Sequence, residues 1–247
     1  MRPDASRKIA TVTPKSGPNV VVLGAVIAAA LVVAVVVAIV IGNNSKSGSS
    51  TASGNAVPVG VVGGTGGGIL VNPATNKSNA PTLDVYADFQ CPVCARFEKQ
   101  FGPALTAMAK AGEIKYVVHM MSFLDTNLGN DSSARATNAA ACAADAGKFP
   151  EYHSAVFAAQ PANEGDGYTD ARLTEIANSA GITGASLTTW QKCTSSGQHA
   201  QYVTDVATTS GKAGVTGTPT VKLNGQDITK TLSTPDALVA QVKAATK

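Results

Sequence analysis

The stretch LDVYADFQCPVCARF, residues 83–97, changes from one structural pattern to another around two cysteines. Its first seven residues are rich in strand-forming side chains, which predicts a short strand over residues 83–89. Residues 95–111 carry apolar side chains three or four positions apart, the spacing of an amphipathic helix. Cys91 and Cys94 are therefore predicted where a strand ends and a helix begins. A pair so placed can bind a metal, form a structural bridge or act in redox exchange.

The elements around this pair predict an α/β fold. A strand, a helix and a second strand over residues 114–121 indicate a parallel pair joined by a crossover. Strand-forming residues return at 218–223, followed by the strong hairpin signal Asn224-Gly225, and Pro235 opens a closing helix. Between these two parts the chain reads as helical, with helices expected over residues 132–146, 149–159, 170–180, 185–195 and 198–210.

A long apolar run near the N-terminus predicts a membrane anchor. Residues 20–41 are 22 consecutive uncharged residues, nearly all Val, Ala, Ile or Leu. As a helix they would span roughly 33 Å, enough to cross a bilayer core, whereas the apolar region of a cleaved signal peptide has only about 7–15 residues. Because four basic residues and one acid precede the run, the positive-inside rule predicts a cytoplasmic tail over residues 1–19. Everything after residue 41 is then outside the cytoplasm.

The part beyond the anchor divides into a tether and a domain. Residues 42–80 are mostly Gly, Ser, Asn, Thr and other small residues, which predicts a flexible tether with one candidate for a short strand at residues 69–71. Residues 81–247 have the size of a single domain. They hold 13 Lys and Arg against 15 Asp and Glu, so the net charge of +3 comes from the first 80 residues and gives no indication of nucleic-acid binding.

All four cysteines lie in the predicted domain. An even number outside the cytoplasm suggests two disulfides, for which three pairings exist. If Cys91 pairs locally with Cys94, then Cys142 is left to pair with Cys193 in a structural bridge. Such a bridge would close a loop of about 50 residues and stabilise the fold by roughly 4 kcal/mol in the chain-entropy view.

No metal site is predicted. A zinc clip would need two further ligands near Cys91 and Cys94, and the second cysteine pair has the wrong spacing for one. We interpret His119, His153 and His199 as structural or surface residues.

The position of Cys91 gives its thiol a chemical bias. A cysteine at the first position of a helix lies among unpaired backbone N–H groups and the positive end of the helix dipole, which favour its thiolate. Cys94 follows one turn later on the same side of the helix. Pro92 suits the first turn, where its missing N–H costs little.

Several segments together resemble the DsbA-like thiol-disulfide oxidoreductases, in particular their membrane-anchored actinobacterial type. The resemblance implies a thioredoxin-like fold with an inserted helical domain over residues 131–212, preceded by one N-terminal transmembrane helix. The segments that carry it are Asp88-Phe89-Gln90-Cys91-Pro92-Val93-Cys94, Phe97-Glu98, Phe101-Gly102-Pro103, Ala139-Ala140-Ala141-Cys142, Tyr152-His153-Ser154-Ala155-Val156-Phe157 and Val215-Thr216-Gly217-Thr218-Pro219-Thr220.

The resemblance also implies roles for the residues of the site. Cys91 would form the mixed disulfide with substrate and Cys94 would resolve it, while Pro92 and Val93 between them tune the reduction potential. The Thr218–Pro219 peptide bond is expected to be cis and to lie beside the cysteine pair, with Thr218 facing the sulfurs.

One position departs from the pattern of the resembled proteins. Thioredoxin and the enterobacterial DsbA place an acid six positions before the first cysteine, below the site, and here that position is Val85. Asp88 is acidic, but strand alternation puts it on the opposite face from Val85. The group that handles the Cys94 proton is therefore open.

The function implied by the resemblance is that of an extracytoplasmic disulfide oxidase without a cofactor. It would pass the Cys91–Cys94 disulfide to exported, reduced proteins and be reoxidised by a membrane partner similar to vitamin K epoxide reductase. A monomer is expected, attached to membrane lipid through residues 20–41 and without nucleic acid. A reductase or isomerase would use the same site, and a thiol metal-binding chaperone or an inert sensor ectodomain are alternatives of another class.

Overall fold

A mixed six-stranded sheet forms the centre of the domain. The computed structural model describes residues 54–246. The strands lie in the order β1-β2-β4-β3-β5-β6 across the sheet. Their bounds are β1 (Val61–Val62), β2 (Gly68–Leu70), β3 (Thr82–Asp88), β4 (Lys115–Met121), β5 (Thr220–Leu223) and β6 (Gln226–Asp227).

Eight α-helices and one short 3-10 helix are present among residues 54–246. The helices are α1 (Pro92–Lys110), α2 (Leu124–Leu128), α3 (Ser132–Asp145), α4 (Phe149–Ala158), α5 (Asp170–Ser179), α6 (Gly184–Ser195), α7 (Ala200–Lys212) and α8 (Pro235–Ala245), with the 3-10 turn at Thr229–Thr231. The five helices predicted between residues 132 and 210 correspond to α3 to α7.

The central strand β3 positions the two cysteines. It runs parallel to β4, with Thr82 opposite Lys115 and Asp88 opposite Met121, as the strand–helix–strand order predicted. On its other side it pairs antiparallel with β5. β3 has a strand on each side from Leu83 to Tyr86, its last residues pair with β4 alone, and the turn into α1 starts from that end.

Helix α1 covers one face of the sheet with the predicted apolar stripe. Its buried side chains include Phe97, Phe101, Leu105 and Met108, and they belong to the same core cluster as Leu83 and Val85 of β3. The apolar side chains three or four positions apart therefore mark the face of α1 that packs against the sheet.

Helix α3 is the centre of the inserted helical region. Most of its residues are buried, and they are mainly alanines, so that neighbouring helices can approach closely. It packs against α4, α5, α6 and α7. Trp190 of α6 is buried and donates its indole N–H to the carbonyl oxygen of Ala139 at 3.0 Å.

The predicted flexible tether is wrong for the part of it that lies within the described residues. Strands β1 and β2 form a hairpin on the edge of β4, with Ile69 opposite Val61 on one side and Val118 on the other. The candidate strand at 69–71 is thus real, one residue earlier than expected. A Cβ at position 68 would come within 2.6 Å of the Val117 side chain, so glycine allows this close approach.

Polar contacts hold the same segment to the rest of the domain. The buried Asn72 donates to the carbonyl oxygens of Ala109 and Ile114, both at 3.0 Å. Further upstream in this segment, the Ala56 carbonyl oxygen lies 2.8 Å from Nδ1 of His199. The other ring nitrogen of His199, Nε2, lies 2.8 Å from an Asp145 carboxylate oxygen. Backbone and side-chain hydrogen bonds that the composition does not reveal thus help to attach this segment.

Within residues 54–246, no helix is both long and apolar enough to cross a membrane. The anchor predicted at 20–41 and the tail predicted at 1–19 lie outside the described residues.

A disulfide joins two helices of the inserted region. Cys142 of α3 and Cys193 of α6 are bonded, the pairing predicted from the sequence, across a separation of 51 residues. Both side chains are buried.

We expect the double variant Cys142→Ala, Cys193→Ala to unfold more easily. In the chain-entropy model, opening a loop of this size lowers the free energy of unfolding by about 4 kcal/mol. Urea denaturation followed by circular dichroism, with the disulfide intact and in the variant, measures the difference. An unchanged midpoint and slope would contradict a structural role for this bridge.

Candidate active site

Cys91 lies at the junction of β3 and α1. It is the N-cap residue of α1, with extended backbone angles, so the helix begins at Pro92 and not at Cys91 as predicted. Its N–H donates to the Asp88 carbonyl at 3.0 Å, and its own carbonyl accepts the N–H of Ala95 at 3.2 Å. The Cys91 side chain makes no cap hydrogen bond, but the N–H groups of Val93 and Cys94 lower its pKa, so the direction of the bias inferred from the sequence holds.

The two thiols differ in their access to solvent. Both cysteines are unpaired in the structure. Cys91 is 6% exposed and Cys94 is 1% exposed, whereas Val93 between them is 47% exposed. Cys91 is therefore the more accessible of the two cysteines.

The environment stabilises the thiolate of Cys91. The hydrogen bond from the Cys94 thiol has the largest effect and lowers the Cys91 pKa to about 6, against an opposing effect of burial. The backbone N–H groups of Cys94 and Val93 and the side chain of Thr218 lower it further. The amides of Val93 and Cys94 belong to the helix N-terminus, as the sequence position indicated, whereas the Cys94 thiol and Thr218 add to their effect.

Cys94 behaves in the opposite way. Burial, followed by its interaction with the Cys91 thiolate, raises the pKa of Cys94 well above that of an ordinary thiol. In the reduced protein the negative charge therefore lies on Cys91 and the remaining proton on Cys94. This division gives the pair one nucleophile and one proton donor.

The Thr218–Pro219 segment lies beside the sulfurs, as the resemblance implied. The peptide bond between these residues is cis. The Cys91 Sγ is 3.6 Å from the Thr218 carbonyl oxygen. The Thr218 hydroxyl lowers the pKa of both thiols, yet its Oγ1 is buried without a regular hydrogen-bond partner among residues 54–246. The cysteines, Pro92, Val93, Thr218 and Pro219 are thus brought together in one site.

The acid closest to the site in sequence is Asp88, which is fully buried. Its carboxylate accepts hydrogen bonds from the Ser133 hydroxyl at 2.6 Å and from the N–H groups of Gln90 and Leu124 at 2.9 and 3.3 Å. Burial outweighs these bonds and raises its pKa to about 6. Val85 lies in the apolar core, so the position that holds an acid in thioredoxin holds no titratable group here.

Gln90, next to Cys91, is tied to the start of the inserted region. Its buried side-chain NH₂ faces Asp125 Oδ1 at 2.8 Å and Asn130 Oδ1 and Ser133 Oγ, both at 2.9 Å. Asp125 in turn accepts the N–H groups of Ser133 and Ala134 in the first turn of α3. The turn of residues 89–91 between β3 and α1, the redox turn, therefore shares one polar network with α3, and this network supplies hydrogen-bond partners to the turn and to the first turn of α3.

Sequence reasoning missed two further residues that contact this turn. Gln160 and Tyr168, both from the inserted region, donate to backbone carbonyls at residues 89 and 91. They lie about 70 to 80 positions further along the chain, and no local pattern could have identified them.

One group of metal-type ligands occurs among the described residues. Cys142, Cys193 and His199 have ligand atoms within 4.8 Å of one another. The two sulfurs are joined as a disulfide, and both ring nitrogens of His199 are engaged with oxygen acceptors. The atoms of this group are therefore engaged in covalent and hydrogen bonds of the fold itself, and the group does not include Cys91 or Cys94.

We expect the reduced protein to show a thiolate that titrates near pH 6. Absorbance at 240 nm should fall as the pH is lowered through about 6, because the Cys91 thiolate takes up a proton there. Cys91→Ser should abolish this change, whereas Cys142→Ala with Cys193→Ala should keep it. A midpoint near the ordinary cysteine value of about 8.5 would contradict the stabilised thiolate.

Asp88 should make stability fall as the pH rises. Its pKa is raised from 3.8 to about 6 on folding, so the folded state binds the proton more tightly between those values. The stabilisation that the protonated Asp88 gives the folded state is therefore fully present below pH 4 and is lost as the pH rises through about 6. The free energy of unfolding should fall by roughly 3 kcal/mol over this range. The free energy of unfolding of Asp88→Asn, measured by urea denaturation, should therefore rise relative to that of wild type between pH 4 and pH 7.

The exposed Asp166 provides the control for this measurement. If Asp166→Asn and Asp88→Asn give the same pH dependence, Asp88 is not the group that titrates.

Comparison with known proteins agrees with this geometry. The family model described as Thioredoxin matches residues 74–244. Oxidised DsbA from Mycobacterium tuberculosis is 32% identical, with a TM-score of 0.59, and the match covers 75% of this chain and 91% of that one. The reduced disulfide bond oxidoreductase DsbG from the same organism is also 32% identical, with a TM-score of 0.58 and coverage of 69% and 85%.

A more distant structure shares the fold. MdbA, a thiol-disulfide oxidoreductase from Actinomyces oris, is 22% identical with a TM-score of 0.62, and the match covers 80% of this chain and 97% of that one. The search of curated proteins gave no match. The family model spans both halves of the thioredoxin-like fold and the helical region between them. The chain therefore belongs to the thioredoxin family and, within it, to the DsbA-like thiol-disulfide oxidoreductases.

Proposed function

We propose that this protein is an extracytoplasmic disulfide oxidase, which transfers the Cys91–Cys94 disulfide to exported proteins. The observation that carries the proposal is the division of charge between the two thiols. A stabilised Cys91 thiolate favours the reduced form of the pair over its disulfide, which makes the disulfide a strong oxidant.

The first step is attack on the exposed side of the pair. A substrate thiolate attacks the Cys91 sulfur, the bond between Cys91 and Cys94 breaks, and a substrate–Cys91 disulfide forms. The sulfur of Cys94 leaves with the electron pair and takes up a proton, since the pKa of this buried thiol is strongly raised.

The second step releases the substrate with its new disulfide. A second thiolate of the substrate attacks the substrate sulfur of the mixed disulfide, and Cys91 leaves as a thiolate. A thiol with a pKa of about 6 is a good leaving group, so this step is fast. The substrate loses two electrons, and the pair ends as the Cys91 thiolate and the Cys94 thiol.

The reverse direction is less favourable at this site. A reductase needs Cys94 to lose its proton before it can resolve the mixed disulfide. Burial opposes that loss, and Val85 places no carboxylate where thioredoxin has one. Reoxidation of an oxidase by its membrane partner requires the same loss of a proton once per turnover, so the preference for oxidase activity rests on the stabilised Cys91 thiolate, which favours the reduced pair.

The cellular setting is part of the proposal. The apolar run at residues 20–41 and the basic residues ahead of it support a single-pass anchor with the domain on the outer side. Reduced exported proteins are then the substrates. A membrane protein similar to vitamin K epoxide reductase would reoxidise the pair, with the enzyme acting as a monomer and without a cofactor.

The reduction potential of the Cys91–Cys94 pair tests the direction of transfer. Equilibration with glutathione should give a value well above the thioredoxin level of about −270 mV, towards the DsbA level of about −120 mV. The variant Cys142→Ala, Cys193→Ala should give the same value, which would assign the measured couple to Cys91 and Cys94. A potential at or below the thioredoxin level would indicate a reductase.

A further inference from the structure

The backbone of the redox turn has two carbonyl groups that the sheet and α1 do not fully satisfy. They belong to Phe89 and Cys91, on either side of Gln90. The side-chain NH₂ of Gln160 donates to both, at 2.8 Å to the Phe89 oxygen and 3.1 Å to the Cys91 oxygen. Gln160 follows the end of α4 in the inserted region, so a residue outside the thioredoxin-like part bridges the turn.

The Cys91 carbonyl group also takes part in the hydrogen bonding of α1. It accepts the first backbone hydrogen bond of α1, from Ala95 at 3.2 Å. The same first turn supplies the amides of Val93 and Cys94 that act on the Cys91 sulfur. Because one side chain holds the carbonyls before and after Gln90, it restricts rotation of the peptide units that set where the sulfur points.

The segment that carries Gln160 is itself held at its far end. Tyr168 is buried, and its hydroxyl lies 3.0 Å from the Phe89 oxygen and 3.2 Å from that of Val156. The Tyr168 N–H donates to the Ser132 hydroxyl at 2.7 Å. Both ends of the segment, Gln160 and Tyr168, are therefore bonded to the redox turn.

We propose that Gln160 is a positioning residue for thiol-disulfide exchange at Cys91, whose side-chain amide orients the turn so that the sulfur faces the first-turn amides of α1. The inference deepens the proposed function and rests on exchange taking place at Cys91. Among residues 54–246, the Gln160 side chain makes hydrogen bonds only to backbone atoms of the turn, so it acts on the sulfur through the backbone.

A purely structural role for Gln160 makes a different prediction. In that case its loss would lower the stability of the fold and leave the acidity of Cys91 unchanged. A positioning role requires that the acidity changes, because the amides no longer converge on the sulfur. The measurement must therefore follow the Cys91 thiolate and stability separately.

The variant Gln160→Met removes both donors and keeps a side chain of similar length. Thiolate formation is followed in the reduced full-length protein by its rate of alkylation with iodoacetamide between pH 4 and pH 8. We expect the pKa of Cys91 to rise by about one unit, which lowers the rate near pH 5 about tenfold. Rates at pH 8 should change little, because Cys91 is ionised there in both proteins.

The chain offers a matched control in Gln100. It lies on α1, is exposed, and donates its side-chain amide to the Ser233 carbonyl at 3.2 Å. Gln100→Met removes the same kind of bond away from the sulfurs and should leave the alkylation profile unchanged. If Gln160→Met does not fold, Gln160→Asn, one methylene shorter, is measured in the same way and should also shift the profile.

An unshifted profile in a folded Gln160 variant, with or without lower stability, would overturn the positioning role. The same holds if Gln100→Met shifts the profile equally. Alkylation needs no disulfide partner, so the result is independent of the direction of electron transfer. A low reduction potential with a shifted profile would overturn the oxidase proposal and leave the positioning role intact.

Discussion

The helix N-terminus at the end of the central strand is the constraint on which the site depends. Strand β3 delivers Cys91 to the start of α1, where the Cys94 thiol and the first-turn amides hold a negative charge on its sulfur. Cys94, one turn into the helix and buried, keeps its proton because burial disfavours its thiolate. The three-residue separation of the two cysteines and the N-terminus of α1 thus give opposite roles to two identical side chains.

The inserted helical region supports this site as well as covering the sheet. Its helix α3 begins in the polar network that includes Gln90, Asp125 and Ser133. At its other end α3 is bonded to α6 through Cys142 and Cys193. The disulfide and the redox pair belong to one continuous cluster of buried residues.

Proton handling at the site depends on burial more than on a dedicated base. Thioredoxin places an acid below its second cysteine, whereas here Val85 belongs to the apolar core. Asp88 is the buried acid nearest in sequence, and its oxygens are engaged with Ser133, Gln90 and Leu124. Its hydrogen bonds serve the turn, so the carboxylate acts first as a structural acceptor. Cys94 therefore takes up a proton when the pair is reduced and must release it when the pair is reoxidised, with no carboxylate at position 85 to receive it.

The sequence by itself determined the parts of the protein that depend on local patterns. The spacing of apolar side chains predicted α1 and the helices of the inserted region, and the alternation of strand and helix predicted the parallel pairing of β3 with β4. The Cys91–Cys94 spacing after a strand identified the site. These features are readable because each is set by residues within one or two turns of one another.

Only the tertiary structure decided which distant residues complete the site. Gln160 reaches Cys91 across 69 positions, and Ser133 reaches Asp88 across 45. The hairpin of β1 and β2 likewise attaches through pairing with β4, although its composition is that of a flexible segment. Contacts of this kind have no periodic signature, because the chain between the partners can fold in many ways and the packing of whole elements selects one of them.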